Sequence, residues 1–150
     1  MPAYLLGTQA LVDASRNETT AIHDWAGVEE VAEDQVVASV ASFTLLKHKV
    51  ELLPHSQRGP WQRLFDATVA RFRAVDCIIP VNLDIALRAA ELRSLSLETD
   101  SGGQPESLGD LGIIVAATAL EEHLTLVDRR QPYHETLESS HGLAFHDPYP

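Results

Sequence analysis

Short continuous runs of apolar residues alternate along this chain with longer stretches whose apolar positions recur every three or four residues. Residues 3–6 form a strand-length run, followed by polar Thr8 and Gln9 and a helical pattern from Ala10. A second helix is predicted over 19–28, with Ile22 and Trp25 on one face. Val36, Val37, Ala38 and Val40 read as a buried strand entering a helix over 41–52, for which Ser42 is a candidate cap. Gly59 and Pro60 mark the start of another helix, with Trp61, Leu64, Phe65, Val69 and Phe72 as its inward stripe. Cys77, Ile78 and Ile79 form a third strand.

Asn82 is placed to cap the next helix, with Asp84 adding favourable charge to its first turn. Leu83, Leu87, Ala90 and Leu97 are expected on its packing side, broadened by Leu92 and Leu95; Asp84 and Glu91 read as solvated charges. Residues 98–109, rich in Ser, Gly, Gln and Pro, read as a loop. A helix over 110–122, a strand over 124–127 and an edge strand over 142–145 complete the pattern. Strands and helices in alternation predict one α/β domain over residues 1–150 with a mainly parallel central sheet. In such a sheet functional loops gather beyond the strands' carboxyl ends. Here those places are the Gly7 corner, the helix starting near residue 41, the helix near Asp110 and the turn after Val127.

Composition narrows the function classes. The chain carries a formal charge of −11, of which residues 76–150 contribute −9 (four basic groups against thirteen acidic). Such a charge opposes general nucleic-acid binding and suits a basic partner segment. No apolar run approaches membrane-spanning length and the N-terminus lacks a secretory pattern, so the expectation is a cytoplasmic protein without membrane association. The single cysteine, Cys77, is expected to be a small buried side chain. Seven histidines are too dispersed for a linear zinc signature, and Ser139-Ser140-His141 alone does not make a nucleophilic centre.

Several segments, taken in order, resemble the PIN domain, especially the VapC-like toxin nucleases of bacterial toxin–antitoxin pairs. YLLGTQALVD is similar to the family's YLLDTNxLxD opening, and VASVASFTLLKHKVE to its SVVTLAELxxG region. PVNLDIALRAAELR resembles its capped, Ala-rich helix, and LGDLGIIVAATALEEHLTLVDRR its DxLIAAxALxxGLxLVTRN stretch. FHDPYP resembles a terminal strand followed by Asn-Pro-Trp. The resemblance covers nearly the whole chain and implies a three-layer α/β/α fold, a homodimer, and an antitoxin-like peptide partner near the active-site side. It also implies a Mg- or Mn-dependent ribonuclease held together by acidic residues.

Those acids are the positions that differ. The four family-site positions are Gly7, Leu45, Gly112 and Arg130 in this sequence, none of them acidic. Thr8 and Ser42 keep hydroxyls near the corner, but hydroxyls do not replace carboxylates electrostatically. Asp13, Asp110 and Asp128 are the candidate relocated acids. Asp110 is alternatively a helix cap; Asp128 alternatively orients Arg129 or Arg130 or stays exposed in its turn. Arg130, if turned into the cleft, would sit where a cation belongs or bind a phosphate. The leading expectation is a catalytically degenerate PIN-like interaction protein without a cofactor or metal. The alternatives are a metal-dependent ribonuclease acting on RNA through relocated acids and a non-hydrolytic phosphate or nucleotide binder. Trp25 and Trp61 are each either partner contacts or core.

Overall fold

The computed structural model describes residues 1–150. Five strands form a wholly parallel sheet: β1 (Tyr4–Leu6), β2 (Val36–Ser39), β3 (Ile78–Ile79), β6 (Thr125–Val127) and β7 (Phe145–His146), in the order β3-β2-β1-β6-β7. Helices cover both faces, which is why the central strands read as continuous apolar runs. Leu5 and Leu126 enter one core on one face, and Leu6, Ala38 and Val127 enter another on the other. The three-layer α/β/α architecture expected from the sequence is the one observed.

The first helix, α1 (Thr8–Ser15), starts two residues before the apolar pattern suggests, because Thr8 and Gln9 occupy its solvent-facing first turn. Helix α2 (Ala21–Val28) is closed by a reciprocal box in which the Thr20 side chain meets the His23 backbone and the Thr20 N–H donates to His23 Nδ1. Helix α3 (Val40–Glu51) is capped by Ser39, whose Oγ accepts from Ala41 N at 3.1 Å. Ser42 is therefore not the cap; it lies one turn in, fully buried. Helix α4 (His55–Ala74) begins before Gly59 and carries Pro60 in its interior. Arg58 Nη2 donates to the carbonyls of Glu51 and Leu53 and ties the preceding turn. Most of the α4 stripe is only half-buried, because this helix lies on the outside of its layer.

Asn82 Oδ1 accepts from Ile85 N at 2.9 Å and caps α5 (Leu83–Arg93) as expected. The packing face of α5 is different from the expected one. Ile85, Ala89 and Leu92 are buried, whereas Leu83, Leu87 and Ala90 are exposed. Both stripes have helical spacing, so periodicity alone does not choose between them. Asp84 is exposed and Glu91 pairs with Arg88, as solvated charges should. The 98–109 segment is a hairpin rather than a loop: β4 (Glu98–Ser101) and β5 (Gln104–Ser107) pair antiparallel around Gly102 and Gly103, both at positive φ. Helix α6 (Asp110–Glu121) is buried on most of its circumference, and its alanines let it lie close against α5. Helix α7 (Pro132–His141) was not resolved by periodicity. It is framed by Pro132 at its start and left-handed Gly142 as its C-cap, which moves the edge strand to Phe145–His146. No helix is long and apolar enough to cross a membrane.

Candidate functional site

Strand order places the topological switch between β1 and β6: the chain builds outward through β2 and β3 on one side, and β6 and β7 lie on the other. In open parallel sheets the crevice beyond the strands' carboxyl ends at such a switch is where ligands bind. The residues at this crevice are Gly7, directly after β1, and Asp128, directly after β6. Gly7 N donates to Val127 O at 2.9 Å, which holds the two strand ends together.

Gly7 is also the N-cap residue of α1 and has no side chain to offer the helix's free N–H groups. Asp128 supplies the missing acceptor from 118 residues away. Its Oδ1 accepts from Ala10 N at 3.1 Å and from Arg129 N at 2.9 Å. The carboxyl group fills the space above Gly7: a Cβ built there would find Oδ2, Cγ and Cβ of Asp128 all within 2.7 Å. Burial pushes the Asp128 carboxyl up to about 6, the two backbone donors acting against this and Asp147 adding to it. Asp128 is thus neither an exposed turn residue nor a partner of Arg130.

Asp13 is buried one turn further along α1, where its carboxylate accepts from Gln9 Nε2 at 3.2 Å and from the Tyr149 hydroxyl at 2.5 Å. Burial raises the Tyr149 hydroxyl pKa, and the hydrogen bond to Asp13 raises it further. Arg129 lies over the Tyr149 ring at 4.6 Å. Asp147 accepts from Arg130 N at 2.9 Å and from Tyr149 N at 2.8 Å. The 147–149 segment is therefore bound down beside the crevice. The sequence pattern assigns no role to Asp147 or Tyr149, whose only signal is the terminal-strand resemblance of FHDPYP; Arg129, expected as a group that Asp128 orients, meets Asp128 through its backbone N–H.

The remaining candidates do not converge on Asp128. Asp110 is exposed in the first turn of α6, whose N-cap is Gly109, and it faces Arg93 at 3.4 Å. It is a first-turn acid rather than the cap itself. Leu45 is half-buried. A Cβ on Gly112 would approach Leu108 Cδ1 at 2.5 Å, so an apolar side chain borders that position. Arg130 turns away from the cleft: its guanidinium pairs with Glu138 and lies 4.8 Å over the Phe145 ring. The guanidinium is thus engaged by Glu138 and Phe145, and not by Asp128 as the sequence alternative had it. Ser42 Oγ is buried without a hydrogen-bond partner, and Thr8 is half-buried at the start of α1. No three His, Cys, Asp or Glu side chains are grouped to hold a metal ion, so the residues present do not fit the multi-carboxylate site of a divalent cation.

Among the histidines, His134 is fully buried between Tyr133 and Phe145, with Nδ1 accepting from Gln131 N at 2.9 Å. Burial, reinforced by Arg130, holds it neutral by lowering its pKa to about 3. Ser140 and His141 meet at 2.7 Å on an exposed turn of α7 with Ser140 also bonded to Thr136 O, a local arrangement without a site around it. Trp25 is core, packed edge-on against Tyr4 at 5.0 Å; Trp61 is 38% exposed. A groove of about 260 Å³ runs between α1, α3 and α4, lined by Val12, Leu46, Leu53, Trp61 and Phe65 together with Arg16 and Lys49.

No family model and no curated relative matches this sequence. Its backbone matches solved structures over nearly its whole length. A chain of VapBC2 from Rickettsia felis, bound to a DNA fragment from its promoter, superposes with a TM-score of 0.69 at 19% identity, covering 97% of this chain and 98% of that one. FitAB bound to the IR36 DNA fragment gives 0.70 at 17% identity over 98% and 96%. DNA-bound VapBC from Salmonella typhimurium gives 0.66 at 16% identity over 99% of each chain. At these identities the likeness establishes the fold alone, a PIN-like α/β/α fold shared with the matched VapBC and FitAB chains.

Proposed function

We propose that this chain is a catalytically degenerate PIN-domain protein of the toxin–antitoxin type that acts through protein association rather than RNA cleavage. The observation that carries this reading is the donor set at the switch-point crevice. The one acid at its centre, Asp128, spends Oδ1 on backbone N–H groups. Asp13 is committed to Gln9 and Tyr149, and Asp110 faces Arg93. A magnesium-activated water needs several carboxylate oxygens converging on one ion, and this crevice does not gather them. On this reading the crevice has no role for a resident divalent ion.

Two surfaces support association. The groove between α1, α3 and α4 offers an apolar seat for side chains of a partner segment. Separately from this groove, whose charged rim is Arg16 and Lys49, the acidic second half of the chain favours a basic partner segment in the manner of an antitoxin-like peptide. The solved neighbours are themselves two-protein VapBC and FitAB complexes. Val81, Leu83 and Leu87 form an exposed apolar stripe at α5 that suits a homodimer contact.

Purified protein incubated with a panel of RNAs in Mg²⁺ or Mn²⁺ tests this reading. The expected result is no divalent-dependent cleavage from wild type, with the Asp128→Asn and Asp110→Asn variants indistinguishable from it. Turnover that requires the metal and disappears in either variant would establish instead the ribonuclease with relocated acids.

A further inference from the structure

We infer that Gly7 and Asp128 are an exchanged pair: the corner keeps one carboxyl group in the side-chain volume of position 7, delivered from the end of β6 instead of the end of β1. The backbone at Gly7 does not itself ask for glycine. Its φ of −70° and ψ of 176° are extended values that any residue adopts. What excludes a side chain there is Asp128, whose Oδ2, Cγ and Cβ occupy the space into which a Cβ would project. By contrast, what a Cβ on Gly112 meets is the flexible tip of Leu108, which can rotate away.

The exchange leaves the work of the corner intact. A short acidic side chain at an N-cap accepts from the helix's first free N–H groups. Gly7 cannot do this, and Asp128 does it for α1 through Ala10 N while also accepting from Arg129 N. Its remaining oxygen, Oδ2, is the one that fills the position-7 volume. The groups acting on this carboxyl come from three sides: Lys49 on α3, Tyr133 on α7, and Asp147 and Tyr149 in the terminal segment. A consequence follows for any attempt to rebuild an acidic site. Gly7→Asp alone adds a second carboxyl to a space already filled and raises like-charge repulsion with it. Asp128 has to be shortened at the same time.

The inference is independent of whether the protein cleaves RNA, since its test reads stability and titration. The variants are Gly7→Asp, Asp128→Ser and the double G7D/D128S, compared by thermal unfolding and by carboxyl-carbon NMR titration. Gly7→Asp is expected to lower the midpoint by about 5 °C or more, the scale of a clash costing a few kcal/mol in a domain of this size. The double variant is expected to melt above Gly7→Asp despite carrying an additional change. In wild type the buried Asp128 carboxyl, its pKa pushed up to about 6, should give a signal that titrates there. That signal should vanish in Asp128→Ser and return from residue 7 in the double variant, following the place rather than the residue. If Gly7→Asp yields no folded protein, Gly7→Ala and G7A/D128S complete the same cycle. The inference is overturned if the double variant melts at or below its more damaged single parent. It is equally overturned if Gly7→Ala matches wild type, or if no carboxyl titrates above the usual range.

Discussion

At the scale of single residues, two buried groups give the protein opposed responses to pH. Asp128 has its pKa raised from 3.8 to about 6 in the fold, so its contribution to stability is complete below pH 3.8 and is lost as pH rises through 6. His134 has its pKa lowered from 6.5 to about 3, so its contribution is complete above pH 6.5 and is lost as pH falls toward 3. Between about pH 4 and 6 the two slopes cancel in part. Asp128→Asn keeps an acceptor for Ala10 and Arg129 but cannot ionise. Denaturant unfolding across pH 4–7 should therefore show stability declining more steeply toward acid in this variant than in wild type. A parallel pair of curves would remove Asp128 from the balance. His123 offers a separate test, since it holds φ of 54° after α6, where a Cβ is strained. His123→Gly is expected to stabilise the protein by about 1 kcal/mol, read as a higher unfolding midpoint.

At the scale of elements, α5 shows what patterning can and cannot decide. Its cap at Asn82 was legible because only a short polar side chain there satisfies the first turn. Its buried face was not, since Leu83 with Leu87 and Ile85 with Ala89 and Leu92 have equally good helical spacing and only the position of α6 chooses between them. Leu92→Ala should accordingly cost about 2–5 kcal/mol in denaturant unfolding, whereas Leu87→Ala should fall within about 0.5 kcal/mol for the isolated chain. The reverse ranking would mean that the helix is rotated. The hairpin of β4 and β5 was hidden for a different reason. Its strands, ETDS and QPES, bury almost nothing, so no apolar alternation announces them, and only the Gly102-Gly103 turn betrays the pairing.

At the scale of the whole molecule, the fold was legible because buried parallel strands and their crossover helices leave strong apolar signatures. The candidate site was legible only in part. The sequence shows which positions lack carboxylates, namely Gly7, Leu45, Gly112 and Arg130. It does not show that Asp128 reaches across from the neighbouring strand end, because that contact joins residues 118 apart and rests on β1 and β6 being paired. Nor does it show that Arg130 is taken up by Glu138. If α5 carries the self-association surface, Leu83→Asp should shift the protein toward monomer in light scattering while leaving its thermal midpoint at low concentration nearly unchanged. An unchanged mass would place any dimer contact elsewhere.

Titration of the folded protein with Mn²⁺, followed by paramagnetic broadening of backbone amides, puts the central claim to the most direct trial. A crevice whose acids are spent on α1 and Tyr149 should show no saturable binding centred on Gly7 and Asp128 up to millimolar metal. Saturable broadening around those two residues at lower concentration, lost in Asp128→Asn, would contradict the account.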